Sequence, residues 1–273
     1  MVKKWKAEDA LGFIYVWAWS VSMYPPIITN WKQKSSTAVS KDFAVLNTTG
    51  YFYLLISLTL QLYLWLPAPL SVKDGRKPVD TRPKVTQFDF WYCLHGCVMN
   101  LVLVSQVIYG KKLWKFKADN HQIRMRPYYH KFWIISLVVF AMLTVRFGFQ
   151  IFFQGWDNQR TLSYCNSLFV LKISMSLIKN MPQAFHNYER KSLKGFAIQS
   201  VMLDITGGVT SLLQLVSQIS NDQGFSATTL AANFGKIGLA LVTLVFDFIY
   251  VSQWLIYRDA ELGAASSNII KLS

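Results

Sequence analysis

The sequence predicts an all-α membrane protein of seven transmembrane helices, built as two parallel three-helix-bundle repeats joined by a linker helix. Three observations carry that expectation. Charged residues make up only 15% of the 273 and apolar ones 52%, where a typical soluble domain carries about 25% charged residues; mean hydropathy is +0.26. The apolar residues fall into seven runs, each near the roughly 20 residues that an α-helix needs to cross a bilayer. A stretch of 27 residues recurs later in the chain without a gap.

The seven runs are read at about 10–29, 43–66, 88–109, 132–153, 162–181, 197–219 and 233–257. The first follows a basic start, "MVKKWK", and so imitates a signal peptide. It has no small-x-small cleavage site and its apolar run is long, so it reads as a retained helix. The longest connections are "PAPLSVKDGRKPVDTRPK" after the second run and the basic segment 110–131 after the third.

The formal net charge of +14 would suit a nucleic-acid binder, but the basic residues sit between apolar runs rather than on one face. That is the pattern of membrane loops. Of the 28 Lys and Arg, 15 fall in the loops after runs 1, 3 and 5 and in the C-terminal tail; 9 fall on the other side. The remaining four, Arg146, Lys172, Lys179 and Lys236, lie inside runs. The positive-inside rule then places the C-terminus in the cytosol and the N-terminus in a lumen or outside.

The repeat appears when the chain is slid by 157 residues. "YPPIITNWKQKSSTAVSKDFAVLNTTG" then falls on "MPQAFHNYERKSLKGFAIQSVMLDITG", with seven identities in 27 positions. Pro25 meets Pro182, Asn30 meets Asn187, Lys34-Ser35 meets Lys191-Ser192, and Gly50 meets Gly207. An even number of spans separates the copies, so both point the same way, related by an axis along the membrane normal. The expected units are 1–109, the first three-helix repeat; 110–161, the linker helix with its flanking loops; and 162–273, the second repeat with a cytosolic tail.

Charges at bilayer depth cost roughly 2.5–3.5 kcal/mol each on insertion scales and persist where they face a cavity or a partner. Lys172, Lys179, Asp204 and Asp247 are such charges, with Asp89 at the edge of the third run. Lys172, Ser176 and Lys179 follow helical spacing and share one face. Asp204 stands where the first copy has Asn47, so the duplication has lost its symmetry there by one charge. Plainer roles fit the same residues: an ion pair between Lys172 and Asp204, a helix cap at Asp89, packing at Asp247. Arg146 and Lys236 read as snorkelling or pairing residues. The tryptophans and tyrosines near span ends read as interface anchors, Trp19 excepted. Cys93, Cys97 and Cys165 read as small packing residues; the only histidine near the first two, His95, faces another way, so no metal site is expected. There is no phosphate-binding, dinucleotide, metalloprotease or nucleophile-elbow motif, so no enzyme and no catalytic residue is expected.

The prolines at the end of each half's first helix, the basic Lys-Ser turn and the following "LNTTG" and "LDITGG" resemble the PQ-loop repeat proteins. The stretches "AWSVSMYPPIITNW", "DFWYCLHG", "LKISMSLIKNMPQAFHN" and "FGKIGLALVTLVFDF" are similar to the cystinosin family of lysosomal and vacuolar transporters, of the fungal type. Two departures stand out: the first motif is Pro25-Pro26 rather than Pro-Gln, and Ser200 stands where the family carries an asparagine.

The resemblance implies a proton-coupled exporter of L-cystine from an acidic organelle to the cytosol. Its pocket would be formed by Trp19, Asn47, Lys172, Lys179 and Asp204, with protons passing through Asp89, Asp204 and Asp247. Pro25, Pro26, Pro182 and Gln183 would supply the hinges. Cystine carries two ammonium and two carboxylate groups, which lysines and an aspartate can meet as point charges. The coupling carboxyl must titrate between the pH values of the two compartments, which takes a buried aspartate rather than a water-exposed one. The implied localisation is a vacuole, lysosome or endosome. No cofactor beyond protons, no metal and no nucleic acid is expected; membrane lipid is, and regulatory proteins on the organelle surface are known for the family, although no residue here identifies one. Two alternatives remain: the same fold carrying another amino acid or a sugar, and a seven-helix receptor that retrieves peptides.

Overall fold

The computed structural model describes residues 7–36, 39–66, 83–117, 124–191, 198–222 and 225–270, except the side chains of 182, 183, 185–187, 189, 190, 222 and 258–270. Among the described residues the chain is helical: α1 Ala7–Ser22, α2 Tyr24–Gln33, α3 Lys41–Tyr63, α4 Gln87–Trp114, α5 Pro127–Gln154, α6 Asn158–Arg190, α7 Ile198–Asp222, α8 Ala227–Ala232 and α9 Phe234–Ile270. Among the described residues seven helical stretches are long and apolar enough to cross a membrane, α1 and α2 together forming the first. The fold is therefore the expected all-α, seven-span architecture. We call the side where α1 begins the N-face and the side where the spanning part of α9 ends the C-face.

The helix ends have local causes. Pro25 and Pro26 occupy the first turn of α2, where the missing N–H costs no helical bond, and the chain breaks at Met23. The second copy behaves differently: α6 continues as helix through the positions of Pro182 and Gln183, whose side chains lie outside the described residues. Thr86 caps α4 in a reciprocal capping box with Asp89, so the sequence-read capping role of Asp89 is present. A feature not expected from the sequence is the short α8, capped by Ser226, with Asn233 at its junction with α9.

The repeated Lys-Ser turn proves to be a helix stop. Lys34 and Lys191 end α2 and α6 in the left-handed conformation, with φ of 52° and 46°. Lys34 sends its N–H back to Asn30 and Trp31 carbonyls, which satisfies the helix end. Lys115 ends α4 in the same way, at φ 52°.

Helix α1 packs on α7 and α3 on α6, the two contacts that join the halves. Within the first half α4 touches α1 and α3; within the second, α9 touches α6 and α7. Exchanging the halves maps each contact onto another, which agrees with a parallel duplication. Helix α5 lies outside, mainly against α6.

The repeated glycines make the inter-half contacts close. A methyl on Gly50 would lie 3.0 Å from Cδ of Lys172, and one on Gly207 would lie 2.5 Å from Cδ1 of Trp19. Each glycine thus admits a large side chain from the other half. Gly207→Ala is expected to push the indole aside and destabilise the protein by about 1–3 kcal/mol, read as a lower thermal midpoint in detergent; an unchanged midpoint would mean that the α1–α7 contact yields freely.

Candidate functional site: a charged cavity between the halves

A cavity of about 870 Å³ opens between the halves, walled by α1–α4, α6, α7 and α9. It brings together Trp19, Asn47, Asp89, Lys172, Lys179, Asp204 and Asp247, and Pro25 and Pro26 also border it. Its polar side chains fall into two clusters.

The first lies at mid-depth. Lys179 Nζ donates to Oδ1 of Asn47 at 2.6 Å. Asn47 Nδ2 donates to Oδ1 of Asn100 at 2.6 Å, and Asn100 Nδ2 donates to the Gly96 carbonyl at 2.7 Å. This chain fixes both amides: Asn100 must offer its oxygen to Asn47, so Asn47 must offer its own to Lys179. Lys172 is buried, with Nζ 4.1 Å from the centre of the Tyr51 ring, a cation–π arrangement. The ion pairs among the described residues do not include it, so the simple pairing of Lys172 with Asp204 is not formed.

Aromatic rings complete this cluster. Tyr51 and Tyr92 share a hydroxyl–hydroxyl bond of 2.5 Å, and the Trp19 ring lies 5.0 Å from that of Tyr92. Trp19 Nε1 donates to the backbone carbonyl of Asp204 at 3.1 Å. The indole is thereby held without engaging the Asp204 carboxylate, which faces the cavity. Asp247 is buried, and its Oδ2 has no hydrogen-bond partner among the described residues. A buried carboxylate oxygen left bare is expensive unless a proton or a cation joins it.

The second cluster lies at the N-face. Asp89 accepts from the backbone and hydroxyl of Thr86, both at 2.7 Å, and from the Tyr15 hydroxyl at 2.9 Å. Lys236 pairs with it at 3.0 Å and also donates to Gln214 at 2.9 Å. Helices α1, α4, α7 and α9 are thus tied together by one buried ion pair. The sequence reading of Lys236 as a pairing residue matches this arrangement, while Asp89 is both cap and ion-pair partner. At the other end of the cavity, buried Asn30 donates to Gln106 at 3.1 Å.

Tyr15, Asn100 and Gln214 were not read as site residues. Asn100 had a signal. It stands thirteen residues after the start of α4, as Asp247 stands thirteen after the start of α9. The second half therefore carries two carboxylates, Asp204 and Asp247, where the first carries two amides, Asn47 and Asn100. If those amides act as one unit, Asn47→Leu and Asn100→Leu should each cost about 1–3 kcal/mol by leaving a buried partner unsatisfied. The double variant should cost clearly less than the sum in thermal unfolding; full additivity would dissolve the unit.

Such a fold and cavity define a multi-pass membrane protein with an ionisable chamber between two related halves. The PQ loop repeat family model matches residues 8–66 and 164–224, one segment in each half. The chain is 55% identical over 259 residues to the "Cystine transporter" of Saccharomyces cerevisiae, covering 95% of this chain and 97% of that protein. It is 31% identical over 258 residues to "Cystinosin" of Bos taurus, covering 92% of this chain and 63% of the bovine one. A "Cystinosin homolog" of Dictyostelium discoideum is 30% identical, covering 92% and 81%. The chain belongs to the cystinosin family of PQ-loop repeat proteins.

Proposed function

We propose that this protein exports L-cystine from the lumen of an acidic vacuole, lysosome or endosome to the cytosol by alternating access, driven by protons. The observation that carries this reading is the placement of two lysines, Lys172 and Lys179, and two aspartates, Asp204 and Asp247, in one cavity between the halves of a membrane protein. The name of the yeast relative, matched almost end to end, supports cystine as the substrate.

In this reading the N-face is lumenal and the C-face cytosolic. A substrate carboxylate takes Lys179 from Asn47 and meets Lys172 beside Tyr51, while a substrate ammonium faces Asp204. Trp19 lies against the apolar part of the substrate. Asp247 accepts a proton on its bare oxygen, and Asp204 takes part in the relay. Protonation of Asp89 loosens its hold on Lys236 and lets the N-face open. The moving units are 1–109 and 162–273, with 110–161 as the linker, and they hinge at Pro25-Pro26 and at Pro182-Gln183. No cofactor other than protons is required.

One proton is sufficient. A pH difference of two units supplies about 2.7 kcal/mol per proton, which sustains roughly a hundredfold concentration ratio of substrate. The test is uptake of labelled cystine by vesicles containing the purified protein, with the N-face compartment at the lower pH or at equal pH. Cystine movement down the proton gradient, collapsing when the gradient is dissipated, is expected. No cystine flux at any gradient rejects cystine as substrate, and gradient-independent flux rejects the coupling.

A further inference from the structure

Away from the main cavity, a groove of about 330 Å³ runs between α5 and α6 near the N-face. Arg146, Gln150, Arg160, Ser163 and Ser167 line it, with Asp157 at its upper end. Arg146 is the anomaly. It is exposed on the helix that lies outside the bundle, and no ion pair or hydrogen bond to it is formed among the described residues. Helix α5 has 28 residues, or about 42 Å at 1.5 Å per residue. A hydrocarbon layer of about 30 Å centred on it puts Arg146, eight residues before Gln154, roughly 6 Å beneath the boundary. A cation below that boundary is costly unless it snorkels out or an anion joins it.

An extended arginine spans about that depth, so its guanidinium reaches the hydrocarbon boundary, where the phosphate of a lipid seated in the groove comes within reach. The groove offers further donors there. Arg160 is braced by Nη1, which donates to the Gln154 and Gly155 carbonyls at 3.2 and 3.1 Å; its remaining N–H groups are left for a second acceptor. The Asp157 carboxylate is already engaged in capping the Arg160 N–H at 3.1 Å. Two arginines against one carboxylate leave the groove with net positive charge. Met142 and Val138, exposed on the same side of α5 but deeper than Arg146, stand where acyl chains would lie.

We propose that this groove is a phospholipid site: Arg146 and Arg160 hold the phosphate of a glycerophospholipid of the N-face leaflet, and anionic headgroups are preferred over zwitterionic ones. The arginine fork suits a phosphodiester through paired hydrogen bonds. The inference is independent of the transported substrate.

The test is native mass spectrometry of the purified protein with phosphatidylglycerol, phosphatidylcholine or water-soluble glycerol phosphate added. Wild type should retain phosphatidylglycerol in preference to phosphatidylcholine, and millimolar glycerol phosphate should not displace it. Arg146→Leu should lose about tenfold in retention, the equivalent of one good charged contact. Arg146→Lys keeps the charge but lacks the fork, and should lie between the two. Retention by Arg146→Leu equal to wild type overturns the proposal; so does displacement by glycerol phosphate, which would make the groove a site for free anions.

Discussion

Asp204→Asn is expected to abolish accumulation of cystine against a gradient, while exchange across the membrane persists with a raised KM because the amide still faces the substrate ammonium without its charge. The substitution is mild in shape, because the first half already carries an amide, Asn47, at the corresponding position. It also spares the Trp19 anchor, since the indole bonds to the backbone carbonyl of residue 204 and not to its carboxylate. What is lost is the negative charge facing the cavity and its capacity to take a proton. With the gradient uncoupled, the roughly 2.7 kcal/mol from two pH units no longer reaches the substrate, and the steady-state ratio should fall from about a hundredfold to near unity. Counterflow with labelled cystine at equal pH, measured beside pH-driven uptake, separates the two effects. Unchanged pH-driven uptake would remove Asp204 from the proton path.

Lys236→Met should be the most damaging substitution for stability. It removes the cation from an ion pair whose side chains are only 10% and 12% exposed. Breaking such a pair from one side costs about 3–5 kcal/mol, because the surviving charge stays buried without its partner. Asp89 keeps its bonds from Thr86 and Tyr15, which points to the lower part of that range. Adding Asp89→Asn to Lys236→Met should restore much of the loss, as neither residue is then charged. Thermal unfolding of the two single variants and the double one gives the comparison. A double variant no better than Lys236→Met alone would show that the site depends on packing rather than on charge balance.

The sequence was informative where physics acts over short range. Apolar run length gave the seven spans within a few residues, because a bilayer imposes one length on every helix. The gapless repeat made Gly50 and Gly207, or Asn47 and Asp204, comparable before any contact was known. The helical spacing of Lys172, Ser176 and Lys179 placed them on one wall. Long-range pairing was hidden. Lys236 and Asp89 meet across 147 residues, at equivalent positions of the third helices, which the gapless slide by 157 does not align. Asn100 escaped for a related reason: the third helices begin at Gln87 and Phe234, 147 residues apart, whereas the first two helices of each half keep an offset of 157. The loop after α3 is longer than its counterpart, so a gapless slide loses register before reaching Asn100. The two proline motifs looked alike in sequence, yet only the first coincides with a break, at Met23. Pro25 and Pro26 can begin a new helix together, while α6 carries its proline within a continuous one.

The three left-handed lysines have a consequence for biogenesis. Lys34, Lys115 and Lys191 all stand on the C-face, in a backbone geometry that costs roughly 1–2 kcal/mol for a residue with a side chain and almost nothing for glycine. Glycine would be the better stop for each helix taken alone. Lysine adds a favourable charge at the negative end of the helix dipole, and it contributes three of the fifteen cations counted on this side, the side that the proposed orientation places in the cytosol. Local conformational strain is therefore exchanged for topological information. A triple replacement by glycine should give helix ends that are individually more stable, in a chain whose insertion machinery has less reason to choose one orientation over the other.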